Sequence, residues 1–95
     1  MAGYVTFHKA STMVDNQLVP VVGAVSGGEA ITSLPTTTTI EAEAGDIASV
    51  WYDAAVVVRI HKSGEAAPTH GHKIPAGFVE RFKVVTGDVV KLAAT

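Results

Sequence analysis

The chain has 95 residues and a formal net charge of −2, with 47% hydrophobic residues, 17% charged residues and no cysteine. That length fits one domain with a thin core. The missing cysteine excludes a disulfide framework and a Cys-ligated metal. Lys and Arg are scattered singly, which excludes the clustered basic face of a nucleic-acid binder.

The charged fraction lies below the roughly 25% usual for soluble domains. Part of the exterior is therefore expected to face another protein; a well-packed small β domain is the blander alternative. The opening MAGYVTFHKAST lacks the charged start and apolar run of a signal peptide. No apolar stretch approaches the ~18 residues that cross a bilayer. Synthesis in a cytoplasm without membrane association is the expectation.

Tyr4 to Lys9 alternates and predicts a first strand with Tyr4, Thr6 and His8 on one face. Residues 1–20 read as an N-terminal arm or edge strand of a single 1–95 β domain. Ala10 to Asn16 has no period and reads as a loop or one helical turn. Leu18 to Val25 is apolar, but Pro20 removes a ladder donor and places its beginning at an edge or strand start. Ser26-Gly27-Gly28 ends it. Glu29 to Leu34 is ambiguous, a candidate short strand closed by Pro35.

Thr36 to Glu43 is β-branched and ends in alternation, which favours a strand or an extended arm over a sugar- or ice-binding threonine array. Glu41 and Glu43 then share a solvated side. Ala44-Gly45-Asp46 is a turn, and Ile47 to Tyr52 the next strand, with Trp51 and Tyr52 on opposite faces. Asp53-Ala54 leads tightly into Ala55 to His61. Its Ala-Val-Val-Val run suits a central strand covered on both sides.

From Ile74 to Ala94, Pro75-Ala76-Gly77 is a corner. Phe78, Glu80, Phe82 and Val84 then alternate with Val79, Arg81, Lys83 and Val85, and Thr86-Gly87-Asp88 is a turn before the return strand from Val89 to Leu92. The segment predicts a C-terminal β-hairpin, with Phe82 in the core and Pro75, Gly77, Phe78 and Gly87 in structural roles. Six to eight short strands without an amphipathic helix predict an all-β fold, either a small antiparallel β-sandwich or a jelly-roll-like barrel.

Val56-Val57-Val58-Arg59-Ile60, Gly64 to Thr69, Ile74-Pro75-Ala76-Gly77, Phe82, Gly87-Asp88 and Leu92-Ala93-Ala94 together resemble a pattern of small virion-associated β proteins of tailed phages and prophages, some of them head decoration or accessory proteins. The resemblance covers roughly the C-terminal ~40% of the chain and rests on turn and small apolar positions. This chain departs from it in one place, carrying His70-Gly71-His72 in a loop that is usually small and polar. The resemblance implies a capsid decoration, cement or head-accessory subunit located on the virion. Its partner would be a major capsid protein or another virion protein, and it would form a homo-oligomer, a trimer on geometric grounds.

Chemistry has one candidate centre. His70 and His72 point the same way in an extended segment and are able to share a metal. With Gly64 before them and Glu80 and Gly87 after, they resemble the first metal motif of the cupins, which implies His70, His72 and Glu80 as ligands. The stretch from His72 to Glu80 is longer than in that motif and contains the Pro75-Ala76-Gly77 corner. The favoured reading is two solvated loop histidines with neither metal nor cofactor.

His8 and His61 read as strand residues. No serine lies in a nucleophile motif, and Gly27-Gly28 opens no phosphate loop. The sequence therefore makes no case for an enzyme. A carbohydrate-binding module with Trp51 or Tyr52 as its stacking platform is a third possibility.

Overall fold

The computed structural model describes residues 2–9, 12–14, 17–19 and 25–95. Its strands are β1 (Gly3–Lys9), β2 (Thr12–Val14), β3 (Gln17–Val19), β4 (Val25–Ile31), β5 (Thr36–Thr37), β6 (Asp46–Tyr52), β7 (Val56–Lys62), β8 (His72–Ile74), β9 (Val79–Lys83) and β10 (Asp88–Ala94). Eight of them form two four-stranded sheets, ordered β4-β1-β6-β9 and β5-β10-β7-β8, while β2 and β3 pair separately. Every pairing is antiparallel. The expected all-β sandwich is what forms. It does not close into a barrel.

From β4 onward the chain changes sheet at each connection except β7 to β8, the winding of a jelly roll. Period-two alternation then fills the space between the sheets. β1 turns Val5 and Phe7 inward, and β6 turns Ala48, Val50 and Tyr52. Val56 and Val58 of β7 meet them from the other side, with Val90 and Leu92 of β10. Burying each Val, Leu or Phe among them stabilises by about 1.5–3 kcal/mol.

The centrality expected of the Val56–Val58 run holds, since β7 lies between β10 and β8 and all three valines are buried. The outer side of β7 is covered by the returning loop. Gly71 lies so close that a Cβ there would come within 2.7 Å of Val57 Cγ1 and Arg59 Cγ, and Arg59 Nη2 donates to the Thr69 carbonyl at 3.3 Å.

The structure corrects several expectations. The C-terminal strands are present, but they form no hairpin: β9 pairs with β6, whereas β10 pairs with β7 and β5. Val90 and Leu92 of β10 reach the core from the second sheet, against Val5, Phe7 and Val50 of the first, so β10 closes the sandwich from the sheet that does not contain β9. Val84 turns into the core as the chain crosses. The segment 3–9 is likewise no arm or edge, because β1 sits between β4 and β6.

Ser26-Gly27-Gly28 does not end a strand but lies within β4. Of the Leu18 to Val25 stretch, residues 20–24 fall outside the described residues, as do 10, 11, 15 and 16 of the expected loop, where Thr12–Val14 is a strand. The threonine run gives only the two-residue β5. After it the Thr38 hydroxyl accepts the Val90 N–H at 3.1 Å, and Glu29 Oε1 accepts the Thr39 N–H at 2.8 Å. Such side-chain bonds displace the ladder that β-branching favours.

Candidate binding surface

The register of the first sheet lines up its outward side chains in rows across four strands. Ala30, Tyr4, Trp51 and Val79 form one row. Gly28, Thr6, Ser49 and Arg81 form the next, followed by Val25, His8, Ile47 and Lys83. Tyr4 is 46% exposed, Trp51 36% and Val79 49%. An apolar stripe therefore crosses the open face of the sheet.

Gly28 explains how Tyr4 lies in this row. A Cβ at Gly28 would come within 2.7 Å of Tyr4 Cε1 and Oη, so the tyrosine ring rests on the glycine. In the third row His8 is 2% exposed. Its Nδ1–H donates to the Lys9 carbonyl at 3.1 Å, and its Nε2 accepts the Ser49 hydroxyl at 2.6 Å. Those bonds account for a buried imidazole on an outward face.

The stripe ends on β9, which the Pro75-Ala76-Gly77 corner delivers from the other sheet. Gly77 has φ +77°, a conformation that side chains with a Cβ rarely adopt. Its N–H donates to the Tyr52 carbonyl at 2.8 Å, and the Phe78 N–H donates to the Pro75 carbonyl at 3.3 Å. The corner leaves Phe78 59% exposed, so Phe78 is a surface residue beside Val79. Phe82 is half-buried against the core. Beyond it an open groove of about 610 Å³ is lined by Ala44–Ile47 and by Arg81–Thr86.

Asp46, at the foot of that groove, accepts from three donors. Ser26 Oγ and Lys9 Nζ donate to Oδ1 at 2.6 and 2.9 Å, and the Glu43 N–H donates to Oδ2 at 2.8 Å. Burial pushes the Asp46 carboxyl up, but these donors outweigh it and hold the group below its ordinary value. Lys9 is raised, first by its hydrogen bond to Asp46.

The histidine candidates stand apart. His70 and His72 are exposed; His72 begins β8 and stacks on Phe82 with ring centroids 5.2 Å apart at 45°. Glu80 is exposed on β9, in the opposite sheet. No three His, Cys, Asp or Glu side chains converge to hold a metal among the described residues, so His70, His72 and Glu80 form no ligand cluster. An extended chain aligns i and i+2, but it does not draw a third ligand in from another sheet. His61 places Nδ1 2.9 Å from the Lys62 carbonyl, while its Nε2 is buried without a partner.

Of the two aromatic candidates for a stacking platform, Tyr52 is in the core and Trp51 is on the surface. Tyr4 and Val79 complete the row. Alternation grouped Tyr4 with Thr6 and His8 and split Trp51 from Tyr52, but nothing in the sequence sets Tyr4 and Trp51 opposite one another. No helix among the described residues is long and apolar enough to cross a membrane. No protein-family model, curated protein or solved structure matches the chain.

Proposed function

We propose that this chain is a structural subunit of a tailed-phage particle, a decoration or head-accessory domain that binds the particle surface in many copies. The observation that carries the reading is the exposed apolar row Ala30–Tyr4–Trp51–Val79, continued by Phe78. A sheet face of that kind gains by being covered by protein. The turn and corner residues that resemble phage virion proteins support it from the sequence. On a repeating capsid lattice many modest contacts suffice for stable attachment.

The test is quantitative mass spectrometry of purified particles from the phage or prophage that encodes the chain. A fixed stoichiometry against the major capsid protein is expected, with loss on Trp51→Glu. Absence of the protein from intact particles overturns the reading. One observation favours a second function: Tyr4 and Trp51 side by side offer a platform for a sugar ring. Saturable binding of a soluble glycan, lost in Trp51→Ala, would put that reading first.

A further inference from the structure

We infer that β9 is an acceptor edge for an extended acidic segment of the partner, which adds to the first sheet as its fifth strand. The inference names the partner chemistry of the structural role proposed above and rests on it. Each sheet of an open sandwich has two edges, and an edge strand turns alternate N–H and C=O groups outward without partners. Among the described residues these edges are unequal. β5 has two residues and β8 three. The ladder to β4 shifts register between Phe7 and His8. β9 pairs over five residues without a shift and contains no proline. It is the longest regular edge of the two sheets.

Its side chains define what can pair with it. On the outer face Val79 continues the apolar row, followed by Arg81 and Lys83, and neither cation forms an ion pair among the described residues. On the inner face stand Glu80 and Phe82. A second copy of β9 is a poor occupant. Antiparallel self-pairing that keeps outer faces together sets Arg81 on Arg81, Arg81 on Lys83, or Glu80 on Glu80. Like charges directly opposite destabilise a ladder.

A foreign strand has no such conflict if its charges are reversed. Running antiparallel, it reads acidic opposite Lys83, apolar opposite Phe82, acidic opposite Arg81, basic opposite Glu80 and apolar opposite Val79. An apolar residue before that run reaches the groove lined by Ile47, Val84 and Val85. Main-chain bonds then supply affinity, and the alternate side chains supply selectivity. The charges on β9 also explain why so regular an edge does not pair indiscriminately.

The experiment titrates a fluorescent peptide, Thr-Leu-Glu-Leu-Glu-Lys-Val-Thr, into the full chain and follows its anisotropy. Saturable binding is expected. It should weaken at least about tenfold in Arg81→Glu/Lys83→Glu, whose exposed sites leave the fold intact. A peptide with lysines opposite the new glutamates, Thr-Leu-Lys-Leu-Lys-Lys-Val-Thr, should prefer that variant, and backbone N-methylation of the first peptide should abolish binding. No binding at millimolar peptide, or equal binding to both proteins, overturns the acceptor edge. Particle attachment of the same double variant separates the two claims. Wild-type protein on particles with the variant equally abundant leaves the structural role standing and removes the edge. Wild-type protein missing from particles removes the role, whatever the peptide does.

Discussion

Lys9 and Asp46 face each other where the β1–β6 ladder ends, with Nζ 2.9 Å from Oδ1. Lys62 and Asp88 repeat the arrangement at the end of the β7–β10 ladder, at 3.4 Å. Each aspartate follows a glycine with positive φ, +83° at Gly45 and +87° at Gly87. Each carboxylate accepts the N–H three residues back, from Glu43 at 2.8 Å and Val85 at 2.9 Å. Each aspartate N–H returns a bond to the same residue's carbonyl. One device thus opens an interior strand in each sheet and fixes its register.

Asp46→Asn should cost about 2–3 kcal/mol, because charge-assisted bonds from three donors are weakened at a buried site. The sign with pH follows from the lowered carboxyl. Its stabilisation is present above the unfolded value near pH ~4 and is lost as pH falls through the folded value. The raised Lys9 works oppositely, stabilising below about pH 10 and losing that effect as pH rises through its folded value. Urea unfolding across pH should show an acid limb that flattens in Asp46→Asn. An unchanged limb would remove Asp46 as its source.

The three phenylalanines should rank by burial. Phe7 is fully enclosed, Phe82 half-buried and Phe78 exposed. Phe7→Ala should cost about 3–5 kcal/mol. Phe82→Ala should cost less, about 1–3 kcal/mol, and Phe78→Ala within about 0.5 kcal/mol. Denaturation midpoints of the three variants check the order, and a Phe78 cost equal to that of Phe7 would contradict it.

Alternation made most strands legible, from Tyr4 to Lys9 and from Ile47 to Tyr52, because a half-buried strand must present one apolar face. Partners were not legible. Phe82 and Val90 both read as residues of one hairpin, yet they lie in different sheets, since a Gly-Asp turn is compatible with reversing within a sheet or crossing between two. Gly28 of β4 read as part of a break, because its use depends on Tyr4, which is remote in sequence. The surface row was invisible for the same reason: Tyr4, Trp51 and Val79 meet only through register.

Gly77→Val should destabilise by about 1–2 kcal/mol, the cost of a left-handed conformation for a residue with a Cβ. No atom lies within 4 Å of a Cβ built there, so the effect is purely one of backbone. Gly77→Asn should therefore cost distinctly less, Asn tolerating that region. Equal losses in the two variants would point to a steric origin instead.

His70→Ala and His72→Ala should separate. His70 is exposed in the loop, and its removal should change stability within about ±0.5 kcal/mol. His72 stacks on Phe82, and its removal should cost about 0.5–1.5 kcal/mol, an effect that disappears when Phe82 is already Ala. Metal analysis of purified protein should show no stoichiometric zinc, iron or manganese. A bound metal lost in both variants would restore the ligand reading of His70, His72 and Glu80.

The apolar row has a consequence for the isolated domain. Tyr4, Trp51 and Val79 present ring and branched surface to water in a monomer, and a symmetric oligomer that covers them is favoured. On the structural role proposed above, the threefold and quasi-threefold positions of capsid lattices make a trimer the expected form. Sedimentation equilibrium should give a trimer for the wild-type chain and a monomer for Trp51→Glu. That substitution places a charge in the centre of the row without touching the core, so its circular dichroism should stay unchanged. A wild-type monomer at high concentration would count against the trimer and leave the row for the proposed particle contact alone. A trimer that survives Trp51→Glu would mean that another face holds the copies together.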